Sequence, residues 1–233
     1  MKVILGFFLA LCLFSVSFAQ EKSNVIPLAS ARAEKAAAIL KQFSTFSTDS
    51  VPFEILRKAK AVGVFNDATR TNLLFSEGIK AKGVMSARGQ NGWGVPFFIS
   101  FGASSMKFKV ADKKNYDILF FVMEDKPLDA LKKGLLQPKL TLGPIVGGKA
   151  SESAFEKASV IYYTFEDGKL SGEELGGNSF FNTVVIGLDN NLNKKLYNKK
   201  AQILLKEETA AVQALPPIES FRQMLNELSL PNN

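Results

Sequence analysis

The run Tyr116-Asp117-Ile118-Leu119-Phe120-Phe121-Val122-Met123 constrains the fold more than any other stretch of the chain. As a strand it is apolar on both faces, because successive side chains point to opposite sides. Phe97-Phe98, Phe120-Phe121 and Phe180-Phe181 make the same demand, each pair placing consecutive rings on opposite faces if extended. A sheet that holds them needs both faces apolar or covered, and strand 116–123 belongs inside it. Core packing explains the rings most simply. The alternative is that some of them line a lipid-accessible surface.

The neighbouring segments supply the rest of such a sheet. Ile79, Ala81 and Val84 interleave with Lys80 and Lys82, and Asn91-Gly92 is a strong hairpin turn signal. Strands follow over 93–101 and 106–110, so residues 78–123 are expected to form an antiparallel meander. A strand-like run at 61–65 precedes it, and another at 160–165 ends in Glu166-Asp167-Gly168.

Helices are predicted around this sheet. Residues 28–46 carry Ala33, Ala36, Ala37, Leu40 and Phe43 or Phe46 on one stripe, flanked by Arg32, Lys35 and Lys41. Such a helix either docks on a core or lies on a membrane surface. Asp49, Ser50, Pro52 and Glu54 begin a second helix reaching Lys60. Pro127 opens a short one closed by Gly134, Asp189 caps one ending at Tyr197, and Pro216-Pro217 lead a last amphipathic helix over 218–228. The expected fold is α+β: a single domain with a curved, mainly antiparallel β-sheet, flanking short helices and an amphipathic N-terminal helix.

The first residues point to export. Met1-Lys2, an apolar run from Val3 to Val16 and the small-x-small site Ser17-Phe18-Ala19 make a cleavable secretory signal over 1–19. A short leader over 20–27, a domain over 28–228 and a tail over 229–233 complete the expected organisation. The single cysteine, Cys12, lies in the signal, so the exported chain relies on its core and not on disulfides. Lys2 alone leaves with the signal, taking the 29 Lys and Arg down to 28 against 22 Asp and Glu. That basic balance favours anionic partners, which outside the cytoplasm means phospholipid surfaces or acidic polymers more than nucleic acid.

Histidine is absent, which removes Ser-His-Asp triads, Cys-His pairs and every His-based metal site. No catalytic residue, cofactor or metal is expected. Two motif near-misses agree. Gly143, Gly148 and Lys149 fit a P-loop, but Ala150 stands where a hydroxyl should ligate Mg²⁺, and antiparallel hairpins precede it. No nucleotide site is expected. Asp189-Asn190-Asn191-Leu192-Asn193 begins like a calcium loop, but Lys194 replaces the needed Gly and Lys200 the bidentate Glu, so a helix cap is the better reading. Glu173-Glu174 are adjacent and face opposite ways on a strand, which does not suit glycosidase chemistry.

The ordered motifs resemble one family. Ala36-Ala37-Ala38-Ile39-Leu40 and the stretch Ile55-Leu56-Arg57-Lys58-Ala59-Lys60-Ala61-Val62-Gly63-Val64 resemble the opening of the SYLF domain family of lipid-binding modules. Gly83-Val84 with Trp93-Gly94-Val95-Pro96 is similar to its "GV…W-S-x-P" hairpin, and Asp117–Met123 to its "D-x-V-L-L-x-M" strand. Gly143-Pro144-Ile145-Val146-Gly147 looks like its "GPVG" turn, and residues 162–177 like its "Y…S-K-G-L-F-A-G-x-S-L-x-G" signature. The chain departs from the family at 70–78, where a Gly-rich segment is usual, and at 108–110.

The resemblance implies non-enzymatic binding of anionic phospholipid or a membrane surface, with an adaptor protein of the envelope as the alternative. The residues expected to meet lipid are Lys35 and Lys41 on the first helix, and Arg57, Lys58 and Lys60 at the end of the second. Lys80, Lys82, Lys107 and Lys109 join them on strands. If these sets converge, they make a cationic patch beside exposed Phe rings.

Overall fold

The computed structural model of the chain describes residues 25–45, 51–73, 76–105, 115–142, 158–170, 183–206 and 214–229. A helix over 25–43 (α1) leads to α2 (Val51–Lys58), β1 (Ala61–Leu73), β2 (Ser76–Gly89), β3 (Gly92–Trp93), β4 (Phe97–Ser105) and β5 (Asn115–Val122). Then come α3 (Asp125–Lys132), β6 (Leu135–Leu136), β7 (Leu140–Leu142), β8 (Val160–Glu166), β9 (Lys169–Leu170) and β10 (Thr183–Leu188). Helices α4 (Asn190–Tyr197), α5 (Ala201–Lys206) and α6 (Pro216–Ser229) follow.

The strands form one open sheet in the order β6-β10-β4-β2-β1-β5-β8-β7, with β3 on β2 and β9 on β8. Among the described residues every pairing is antiparallel except β7 on β8. This is a single α+β domain with a mainly antiparallel sheet. Helix α3 touches both β5 and β10, which β4, β2 and β1 separate in the sheet, so the sheet curls toward it.

Strand β5 is buried along its length after Asn115 and lies between β1 and β8, as its double-sided apolar sequence requires. Phe97, Phe98, Phe120 and Phe121 are all buried, so core packing accounts for these rings. Phe121 and Tyr163 meet Phe43 of α1 on one face, with ring centroids 5.5 and 5.2 Å from Phe43. On the other face Phe65 stacks on Phe120 at 4.9 Å and meets Phe101 at 5.1 Å.

Three expectations need correcting. The meander does not hold, because β1 separates β5 from β2 and β4. Residues 61–66 are buried on both faces and need a strand on each side, which draws β1 into the middle of the sheet. The N-terminal helix is not confined to residues from 28 on, since residues 25–27 are already helical. It ends at 43: the Ser44 and Thr45 hydroxyls donate to the carbonyls of Lys41 and Gln42 and close the last turn. The second helix stops at Lys58, because the Lys60 N–H already donates to Val122 across the sheet. The strand expected at 106–110, the P-loop near-miss, Glu173-Glu174 and Phe180-Phe181 lie outside the described residues.

Candidate functional site

Helix α1 crosses the sheet on the Phe121 and Tyr163 face, and its C-terminal half seals there through Ile39, Leu40 and Phe43. Its N-terminal half overhangs β2, β4 and β10 and leaves a cleft of about 790 Å³. The roof is Leu28, Ala31, Arg32 and Lys35; Lys80, Lys82, Ser100, Gly102 and Val185 form the floor. Alternation explains the floor. Lys80 lies opposite Gly102, which lies opposite Val185, while Lys82 lies opposite Ser100, which lies opposite Gly187. All six therefore share one face of the sheet.

A β-bulge shapes one wall. The register of β1 slips between Asn66 and Thr69, where Asp67 takes a left-handed φ of 51°. Asp tolerates that conformation better than most residues, and a bulge re-aims side chains. Here it turns both Asn66 and Asp67 toward α1. Asn66 Nδ2 donates to the Arg32 carbonyl at 2.8 Å, while its Oδ1 is buried without a partner among the described residues. Lys35 Nζ reaches Asp67 Oδ1 at 2.6 Å and Asp117 Oδ1 at 2.9 Å. Asp117 Oδ1 also accepts from the Asp67 N–H at 2.9 Å.

The electrostatics divide the cleft's four cations into two kinds. Lys82 is held by Asp189 at 2.9 Å, and Lys35 by its two carboxylates. Burial opposes the Lys35 charge, but the hydrogen bonds to Asp67 and Asp117 outweigh it and hold the ammonium above its ordinary pKa. Arg32 and Lys80 have no salt bridge among the described residues. Burial pulls the Arg32 guanidinium below its usual range, with Asp189 only partly compensating. An anion arriving at Arg32 would reverse that penalty.

The other expected cations lie elsewhere. Arg57 and Lys58 both meet Glu54, at 3.0 and 3.9 Å, and Lys60 meets Asp125 at 3.6 Å. None of the three lines the cleft. Lys41 is exposed on α1 beyond the cleft, and Lys107 and Lys109 lie outside the described residues. The exposed Phe rings expected beside the patch need correcting: among the described residues the large exposed apolar side chains are Ile26, Leu28, Leu135, Ile203 and Leu215. Leu28, half exposed at 50%, forms part of the cleft roof.

Sequence reasoning passed over Arg32 as a flank and missed Asn66, Asp67 and Gly102 altogether. The available signal was the polar pair Asn66-Asp67 interrupting an apolar strand, with Asp117 doing the same in β5.

A second, smaller cavity of about 260 Å³ lies between the β2–β3 turn and α5. Of the cations that line it, Arg88, Lys206 and Arg222, Arg88 is satisfied structurally: it donates to the carbonyls of Ala59 and Leu56 and sits 4.3 Å from the Trp93 ring centroid. Trp93 Nε1 and Arg88 both donate to Ser229 Oγ, which pins α6 to the sheet. This is an anchor for the last helix.

Compared with models of known protein families and with curated proteins, the sequence matches none of them. Among the described residues no helix is long and apolar enough to cross a membrane.

Proposed function

We propose that the chain is a non-enzymatic binder of anionic lipid or of an anionic membrane surface, exported to the cell envelope. The observation that carries this reading is the cleft beneath α1. It joins half-exposed Leu28 to two cations, Arg32 and Lys80, that no carboxylate meets in a salt bridge among the described residues. The motif resemblance to SYLF domains and the secretory character of residues 1–19 support the same reading. A cation near an anionic bilayer contributes about 1 kcal/mol, so these two supply about 2 kcal/mol, or about thirtyfold in partitioning before salt screens it. Lys35 and Lys82 add less, because their charge is already met.

A second reading, a structural or adaptor protein without lipid, is favoured by one observation. Of the seven expected cations that fall within the described residues, five are engaged by carboxylates: Lys35, Arg57, Lys58, Lys60 and Lys82. Vesicle co-sedimentation separates the two. The lipid reading expects binding to vesicles containing phosphatidylglycerol and not to phosphatidylcholine alone, weakened by salt and by Arg32→Ala with Lys80→Ala. Binding to neither would favour the adaptor, and equal binding to both would sink the role given to Arg32 and Lys80.

A further inference from the structure

Three glycines on the central strands differ in what surrounds them. A Cβ at Gly63 would sit 2.3 Å from Phe120 Cε1, and one at Gly83 would sit 2.1 Å from the Val64 carbonyl oxygen. Those positions are glycine because nothing larger fits. Among the described residues a Cβ at Gly102 would meet nothing within 4 Å, and its φ is not in the left-handed region. Neither packing nor backbone conformation asks for glycine there. Glycine in a strand interior also weakens the strand, by its entropy and by leaving no side chain to pack.

What Gly102 does is keep the cleft floor low. Its neighbours on that face of β4 and β10 are Ser100, Val185 and Gly187, and Leu135 leans across Gly187 within 3.8 Å of where its Cβ would be. The result is an apolar trough running across the strands under Leu28 and Ala31, with Lys80 directly opposite Gly102 in register. Protein interiors fill such space with side chains, whereas ligand clefts of about 300–1,000 Å³ leave it open. The 790 Å³ here falls in that range.

We infer that the cleft holds the alkyl chain of one anionic amphiphile, laid over Gly102 and Ser100 beneath Leu28, with its acidic head between Arg32 and Lys80. This rests on the lipid reading above and adds to it. The ligand is bound as a single molecule with one chain in the protein, beyond any contact with an intact bilayer. A guanidinium and an ammonium suit a carboxylate or a phosphate head equally, so the shared chemistry is one alkyl chain and one anionic group.

The test is calorimetric titration of the purified chain with oleate and with 1-oleoyl lysophosphatidylglycerol. Both are kept below their aggregation concentrations, with 1-oleoyl lysophosphatidylcholine as the zwitterionic control. The expected result is saturable one-to-one binding of at least one anionic probe, at least tenfold tighter than the control. The lysolipid alone binding assigns a phosphate head, and oleate binding as well admits a carboxylate. Gly102→Val, which fills the floor with a residue suited to a strand, should weaken that binding at least tenfold while the melting temperature holds or rises. Lys80→Glu should remove the preference for an anionic head. Should Gly102→Val fail to fold, Ser100→Leu fills the adjacent floor position and is judged by the same loss. Undiminished binding in the filled variants overturns the inference. So does an absence of monomer binding when phosphatidylglycerol vesicles still sediment the protein, an outcome that leaves the lipid reading standing. If neither monomers nor vesicles bind, both fall together.

Discussion

The Asn193 side chain takes up the backbone N–H of Phe98 and shares its carbonyl: Oδ1 accepts from the N–H at 2.9 Å and Nδ2 donates to the oxygen at 2.8 Å. Strand β10 ends at Leu188, opposite Ile99, and the chain then turns into α4. The Asn193 amide stands in for the next residue of the missing strand. Nδ2 also donates to Asp189, whose own carboxylate caps α4 by accepting from Leu192 and holds Lys82. One polar cluster thus ends a strand, starts a helix and anchors a cation of the cleft.

Asn193 is fully buried, so its replacement by Leu leaves the Phe98 N–H without a partner. An orphaned buried donor costs about 1–3 kcal/mol, and the lost bonds bring the expected total to about 2–4 kcal/mol. The check is a urea titration in which the midpoint falls while the slope stays constant. Asn193→Asp, which keeps the size and loses the donors, should be no better. A loss below about 0.5 kcal/mol in Asn193→Leu would show that the clamp is incidental.

Gly83 faces Phe65 in the β1–β2 ladder. An alanine there would press on the Val64 carbonyl, and backbone yields less readily than a side chain. Overpacking of this kind costs about 1–3 kcal/mol where a side chain can move and more where it cannot. Gly83→Ala should therefore destabilise more than Gly63→Ala, whose Cβ meets side chains alone, the edge of the Phe120 ring and Ile99 Cδ1. Thermal melts of the two variants give the order directly, and the reverse order would refute the assignment.

The legible parts of this fold were the local ones. The strand at 116–123 announced its burial on both faces, the Asn91-Gly92 turn announced the end of β2, and Asp189 announced its cap. Each depends on residues within a few positions of one another. The place of β1 between β2 and β5 did not announce itself, because alternation says which face a side chain takes and not which strand lies beside it. The site suffered in the same way. Lys35, Lys80 and Lys82 were recognised as outward-facing cations, but the carboxylates that meet Lys35 lie 32 and 82 positions away at Asp67 and Asp117, and the one that meets Lys82 lies at Asp189. A sequence counts charges without measuring the distances between them. Gly102 was illegible for another reason: its role is an empty volume, which exists only once α1 crosses the sheet.

Stability should be insensitive to neutral pH and fall in alkali. The chain has no histidine, so no imidazole titrates between about pH 5 and 8. Burial pushes the Tyr163 and Tyr197 hydroxyls up, and Lys35 is also raised by its carboxylate partners despite its own burial. All three hold their protons more tightly folded than unfolded. Their contribution is complete below about pH 10, the usual Tyr and Lys range, and is lost as pH rises above it. Tyr197 donates to the Pro96 carbonyl at 2.7 Å. Tyr197→Phe should therefore cost about 1 kcal/mol at neutral pH and make the alkaline decline shallower. Melting temperature against pH tests both statements, and a marked loss between pH 6 and 8 would contradict the first.

A latch at Lys35 fixes α1 over the cleft. Lys35 joins the helix to β1 through Asp67 and to β5 through Asp117. The Asp117 side chain is only 9% exposed, whereas those of Lys35 and Asp67 are 39% and 70% exposed. Lys35→Met keeps the aliphatic stem and removes the charge, leaving the Asp117 carboxylate with the Asp67 N–H as its remaining described donor. Breaking a fully buried pair from one side costs about 3–5 kcal/mol. Water still reaches Lys35, so about 1–2 kcal/mol is expected here. Asp67→Asn should cost under about 1 kcal/mol, as exposed ion pairs do. Combining Lys35→Met with Asp117→Asn removes the stranded charge, so the double variant should be less destabilised than the two single losses together, by about 1 kcal/mol. Denaturant titration of the four chains in that cycle measures the coupling. Simple additivity would mean that Lys35 and Asp117 do not stabilise each other, and that α1 is held by its apolar stripe and by the Asn66 bond to the Arg32 carbonyl.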